Sequence, residues 1–121
     1  MSDLRIVEIK AFIPSKDFEL SKSFYSDIGF ELKSSDENIA YFAFDKVSFL
    51  LQNFYIKEHA DNFMMHLLVE DVDSWWQKIN DSGVEQKYSI KLGKPEDQPW
   101  KMRDFVFTDV SGVLWRIGQN L

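Results

Sequence analysis

The stretch QPWKMRDFVFTDVSGVLWRIGQN, residues 98–120, decides the fold. It reads as a Pro-Trp loop, an aromatic strand over 103–108, an Asp-Val-Ser-Gly turn and a second aromatic strand over 113–118. That pattern is a β-hairpin. An earlier stretch, AFDKVSFLLQN at 43–53, has the same design with a shorter turn at Asp45-Lys46. A chain that writes one hairpin twice is a duplicated module, and a gap between two such modules is a natural place for a ligand.

Each hairpin has the same kind of lead-in. Residues 5–13 alternate as a strand, with Ile9, Ala11 and Ile13 on one face and Glu8, Lys10 and Phe12 on the other; Pro14 ends it. Ser15 or Asp17 caps a helix over 17–28, which Gly29 stops. A strand at 30–33, the turn SSDEN at 34–38 and strands at 39–44 and 47–53 complete the unit. After a polar stretch at 57–62 the series restarts. A strand at 63–69 leads to a helix capped by Asp71 or Asp73 and stopped near Gly83. A strand at 85–89 and a long polar loop at 90–101 then precede the closing hairpin. The predicted fold class is α+β. Two tandem β-α-β-β-β modules, about 4–56 and about 62–120, form curved mixed sheets around a cleft, with the helices outside, in a single domain of residues 1–121.

Composition narrows the function. Cysteine is absent, which removes disulfides, thiolate metal sites and a cysteine nucleophile. The net charge of −6, without a basic stripe, argues against nucleic acid. Residues 1–10 have no secretory pattern, and no run approaches the roughly 18 apolar residues of a membrane span, so the expected location is the cytoplasm. No Ser-His-Asp set, glycine-rich dinucleotide motif or phosphate loop is present. Aromatics make up 16% of the chain, more than a core this small is expected to hide, so some should line a pocket or an oligomer interface.

Three segments in this order, SKSFYSDIGFE at 21–31, HLLVEDVDSWWQKI at 66–79 and TDVSGVLWRIGQ at 108–119, make the chain resemble the vicinal oxygen chelate superfamily, the glyoxalase/bleomycin-resistance/dioxygenase fold. The resemblance covers nearly the whole chain. The segment QPWKMRDF at 98–105, a Pro-Trp loop followed by Arg103, looks most like the bleomycin-resistance branch. Enzymes of the superfamily hold a divalent metal with His and Glu from strands facing the cleft. The resemblance places those slots at Glu8 or Lys10, Leu50 or Gln52, Met64 or His66, and Arg116. A guanidinium has no lone pair for a metal, and Leu and Met are not hard ligands. A rescue set of Glu8, Gln52 and His66 shares cleft parity. No metal and no cofactor are expected.

The leading expectation is a metal-free protein that binds or sequesters an aromatic small molecule as a homodimer. Trp100 sits in a loop, where a large ring has no routine packing duty. His66, Gln52 and Arg116 offer polar recognition. On strand parity, Trp115 faces the helices and Arg116 the cleft, with Phe12 on the cleft side and Phe42 preferred to Tyr41 there. The resemblance adds Arg103 to the ligand-binding set. The alternatives are a metal-dependent lyase, isomerase or dioxygenase of the same superfamily, and a non-catalytic dimeric interaction module.

Overall fold

The structure is a computed structural model that describes residues 2–121. The first half of the chain runs β1 (Phe12–Pro14), α1 (Phe18–Asp27), β2 (Glu31–Ser35), β3 (Ile39–Phe44) and β4 (Val47–Gln52). A short α2 (Lys57–Asp61) leads to β5 (Met64–Leu68), α3 (Val72–Asp81), α4 (Val84–Tyr88), β6 (Glu96–Gln98), β7 (Met102–Thr108) and β8 (Leu114–Asn120). The strands form two four-stranded sheets, ordered β1-β4-β3-β2 and β5-β8-β7-β6. In each, the first strand runs parallel to the last and the other pairs are antiparallel. The two halves thus repeat one topology, and the fold class is α+β with two mixed sheets.

Local chemistry explains where the helices begin and end. Asp17 caps α1 by accepting from the Leu20 amide at 3.1 Å, and Asp71 caps α3 by accepting from the Ser74 amide at 3.1 Å. Gly29 follows α1 at a φ of 114°, a backbone that residues with a Cβ rarely adopt. Both helices lie against their own sheets.

One core joins the modules. Tyr25 of α1 meets Phe49 of β4 at 4.9 Å between centroids and Trp115 of β8 at 5.8 Å, while Trp115 stacks on Phe107 at 6.1 Å. A buried polar relay crosses the same seam. The Trp115 indole N–H donates to the Tyr25 hydroxyl at 3.0 Å, and that hydroxyl donates to Asp109. The other Asp109 oxygen accepts from the amides of Ser111 and Val113, which folds the Asp-Val-Ser-Gly turn around it. Burial pushes the Asp109 carboxyl above its ordinary value, and burial followed by the Asp109 charge pushes the Tyr25 phenol up as well.

Four expectations need correction. The strand expected at 5–13 is confined to Phe12–Pro14. Its parallel register sets Phe12 opposite Leu50 and β4 begins at Val47, so residues before 9 have no strand beside them. The strand expected at 85–89 is instead α4: Val84 and Tyr88 are four apart and share a helical face, with Tyr88 packing edge-on to Phe24 at 5.3 Å. The polar stretch at 57–62 contains α2, and the loop at 90–101 contains β6. No helix among the described residues is long and apolar enough to cross a membrane.

Candidate functional site

Alternation on β5, β7 and β8 gives the second sheet two distinct faces. Phe105, Phe107, Trp115 and Ile117 face the core. His66 and Val106 flank Arg116 in register on the neighbouring strands, so these three share the opposite, open face. Met64, Leu68 and Leu114 extend it as an apolar surface. Trp115 and Arg116 therefore face as expected.

Trp100 hangs over this face from the tip of the β6–β7 hairpin. Gln98-Pro99-Trp100-Lys101 is a tight turn closed by the Lys101 amide on the Gln98 carbonyl at 3.1 Å, with Lys101 left-handed at a φ of 61°. Proline at the second position of such a turn presets its backbone. The Trp100 ring is 55% exposed and lies 5.9 Å from the Arg116 guanidinium. Beneath, Arg116 donates to Asp104 at 2.9 Å, and the other Asp104 oxygen accepts from the Gln98 side-chain amide at 3.0 Å. Asp104 is only 2% exposed. It fits because its register partner on β8 is Gly118, where an added Cβ would come within 3.2 Å of the Asp104 Cβ and 3.1 Å of the Met102 methyl.

Two concavities open here. One of about 230 Å³ lies beside Arg116, with Gln98, Asp104, Val106, Lys94 and Glu96 in its wall. A broader groove of about 800 Å³ takes in Val106, Thr108 and Leu114 and runs under Leu92 and Gly93.

The first sheet presents a matching open face. Phe12, Leu50 and Tyr41 lie side by side in register, and Gln52 shares their face on β4. Phe12 is 47% exposed, in keeping with its parity. Phe42 has the opposite orientation to the one expected: it is fully buried, stacked on Phe49, and Tyr41 takes the open position. Arg103 is also corrected. It shares the strand face of Phe105, turns toward α3 and is bound by Asp73 and Asp97 at 3.1 Å each, away from Arg116. Gln52 keeps a half-buried side chain, and its backbone carbonyl accepts from the Ser15 hydroxyl.

Residues 2–10 leave the first sheet, whose last bond on that side is the Leu50 amide on the Ala11 carbonyl at 3.0 Å. Glu8 and Lys10 remain attached across its open face, where Glu8 accepts from Lys10, from Ser48 and, at 3.0 Å, from Tyr41. Those donors, Lys10 first, pull the Glu8 carboxyl down to about 2. Glu8 and His66 both line a cavity of about 330 Å³ floored by Phe30, Phe49 and Trp115. Gln52 is not in its lining. The structure thus gathers Trp100, Arg116 and His66 on one face, Phe12 and Gln52 on another, and does not bring the two sets together within one chain.

The divalent metal implied by the resemblance does not fit these residues. Glu8 is occupied by an ammonium and two hydroxyls, His66 lies in register beside the fixed charge of Arg116, and Leu50 and Met64 are not hard ligands. Among the described residues, no three His, Cys, Asp or Glu side chains gather to hold a metal. Sequence reasoning missed Asp104 and set Phe42 ahead of Tyr41. Strand parity together with the glycine opposite Asp104 was the available signal for the first.

Solved structures share this architecture. A bleomycin-binding protein complexed with bleomycin is 21% identical with a TM-score of 0.81, over 94% of this chain and 98% of that one. A bleomycin resistance determinant encoded on the transposon Tn5 is 22% identical with a TM-score of 0.79, over 93% of this chain and 97% of that one. A lactoylglutathione lyase from Agrobacterium tumefaciens is 14% identical with a TM-score of 0.67, over 98% and 95%. At these identities the likeness is one of fold. No curated protein matches the chain. The family model described as Glyoxalase/Bleomycin resistance protein/Dioxygenase superfamily matches residues 5–117, and with the repeated sheet order this shows that the chain belongs to that superfamily.

Proposed function

We propose that this protein is a metal-free binder of the bleomycin-resistance type, which holds an apolar-aromatic small molecule against the open sheet faces and sequesters it. The observation that carries the reading is the exposed Trp100 ring, mounted on a hairpin tip over Arg116, which itself lines a concavity. A large aromatic held out of the core by a built turn is suited to stacking. His66 and Arg116 supply polar contacts on that face, and on the other Gln52 supplies one beside the exposed Phe12 ring. The bleomycin-binding neighbours support a small-molecule ligand.

The working unit is a homodimer. Among the described residues no helix or strand covers either open face, and Leu4, Ile6, Val7 and Ile9 of the departing arm are 85–98% exposed. A second copy that accepts this arm would set the open face of one chain's first sheet against the open face of the other's second sheet. Residues 1–121 act as one domain, with modules at about 4–56 and 62–120, in the cytoplasm and without nucleic acid or membrane partners.

The test is tryptophan fluorescence of chelator-treated protein titrated with bleomycin-type glycopeptides and with small aromatic cations and anions. Saturable quenching that is lost in Trp100→Ala supports the reading; a response only after a divalent metal is restored overturns it. That second outcome belongs to a metal-dependent enzyme of the superfamily, for which the shared Glu8–His66 cavity is the observation in favour.

A further inference from the structure

The charge that the Trp100 site accepts is not evident from Arg116 alone. A half-buried guanidinium on an open face normally selects a carboxylate, sulfonate or phosphate. Here it is already paired. Asp104 sits directly under it at 2.9 Å with its side chain 2% exposed, and no water layer separates the two at that distance. The other Asp104 oxygen holds Gln98, the residue that opens the Trp100 turn. One buried carboxylate therefore anchors both the cation and the hairpin tip that carries the ring. The remaining charged neighbours of this wall, Lys94 and Glu96, have opposite signs, and His66 lies one strand away.

Resting on the binding reading above, we infer that Asp104 is the specificity-determining residue of this site. By cancelling Arg116 it keeps the wall beside Trp100 electrically neutral, so the site takes planar aromatic ligands without an anionic group. Arg116 then acts as a flat support and hydrogen-bond donor under the ring rather than as an anion receptor. Asp104 is a positioning residue with an electrostatic role, which a merely structural carboxylate would not have.

Asp104→Asn separates these roles. The side-chain amide keeps the size, its oxygen can still accept from Arg116, and a flipped Gln98 can accept from its N–H. Only the charge is lost. The probes are two dyes with one ring skeleton: 8-anilinonaphthalene-1-sulfonate, an anion, and N-phenyl-1-naphthylamine, which lacks the sulfonate. Wild-type protein should favour the neutral dye. Asp104→Asn should shift the affinity ratio toward the sulfonate by about tenfold or more, the scale of one freed charge-assisted contact. Adding Arg116→Gln should return the ratio to the wild-type value. A ratio that does not move in Asp104→Asn, or a shift that survives Arg116→Gln, overturns the inference while leaving ligand binding intact. No saturable binding of either dye by wild-type protein removes the binding reading itself and this inference with it. A measurement on wild-type protein alone covers the case in which Asp104→Asn does not fold. With Arg116 neutralised by Asp104, the affinity of wild-type protein for the sulfonate should not fall as salt is raised; a marked fall would show a free guanidinium and overturn the inference.

Discussion

Tyr25 is where a single atom has the most consequence for the fold. Its hydroxyl accepts from Trp115 and donates to Asp109, so it joins α1 of the first module to the turn and last strand of the second. Tyr25→Phe removes one oxygen and leaves a buried indole N–H and a buried carboxyl oxygen short of a partner. The expected loss is about 2–4 kcal/mol, read as a lower urea midpoint at unchanged slope. Glu8 gives a pH test. Its folded value near 2 lies below the ordinary 4.5, so the arm attachment it makes is fully present above 4.5 and is lost as pH falls through 2. A Glu8 carboxyl titration by NMR should have its midpoint near 2, with arm resonances moving together; a midpoint near 4.5 would mean that Glu8 is not held. The sequence made some of these residues legible and others not. Parity on β8 was enough to orient Trp115 and Arg116, because alternation over a long strand has one consistent solution. Phe42 was misread because both faces of IAYFAF offer an aromatic, and only contact with Tyr25 and Phe49 selects which one is buried.

Among the elements, those with strong periodicity and a cap were readable and the short ones were not. The helices α1 and α3 stand where the Asp–apolar spacing put them, and the two hairpins lie at their turns. For α4 and β6, five and three residues long, local pattern is too brief to outweigh tertiary contacts. The choice between Asp71 and Asp73 as the α3 cap illustrates the limit, since both are aspartates just ahead of the same helix. The structure assigns the cap to Asp71, whose side chain takes both the amide and the hydroxyl of Ser74, and gives Asp73 an ion pair with Arg103. Asp71→Ala should therefore cost about 1 kcal/mol. Asp73→Ala removes an ion pair whose acid is 61% exposed and should cost less than about 1 kcal/mol. Equal urea midpoints for the two variants would contradict the assignment.

For the whole molecule, two facts pull in different directions. The core is shared, with Trp115 touching aromatics from both halves, so the modules should unfold together in one transition. Yet the candidate ligand groups are divided between two open faces, and the arm carries four apolar side chains into solvent. The sequence announced the duplication and both faces but had no means of showing that β1 would begin only at Phe12, because that depends on its pairing with β4. The homodimer proposed above would resolve the tension. Fully burying one large apolar side chain is worth about 1.5–3 kcal/mol, so burying even two of the four would strengthen association by about a hundredfold or more. If the proposed dimer forms at micromolar concentration, deleting residues 2–9 should therefore convert it into a monomer by light scattering. The unfolding transition should keep its cooperativity, since Glu8 is the only one of those residues with a side-chain hydrogen bond to the sheets among the described contacts. Aromatic ligand binding should fall with it, because only the proposed dimer sets Phe12 and Gln52 against Trp100 and Arg116. A truncated chain that becomes monomeric yet binds at full affinity would show that one open face suffices. A full-length chain that is monomeric at the outset would leave the arm without the partner proposed for it.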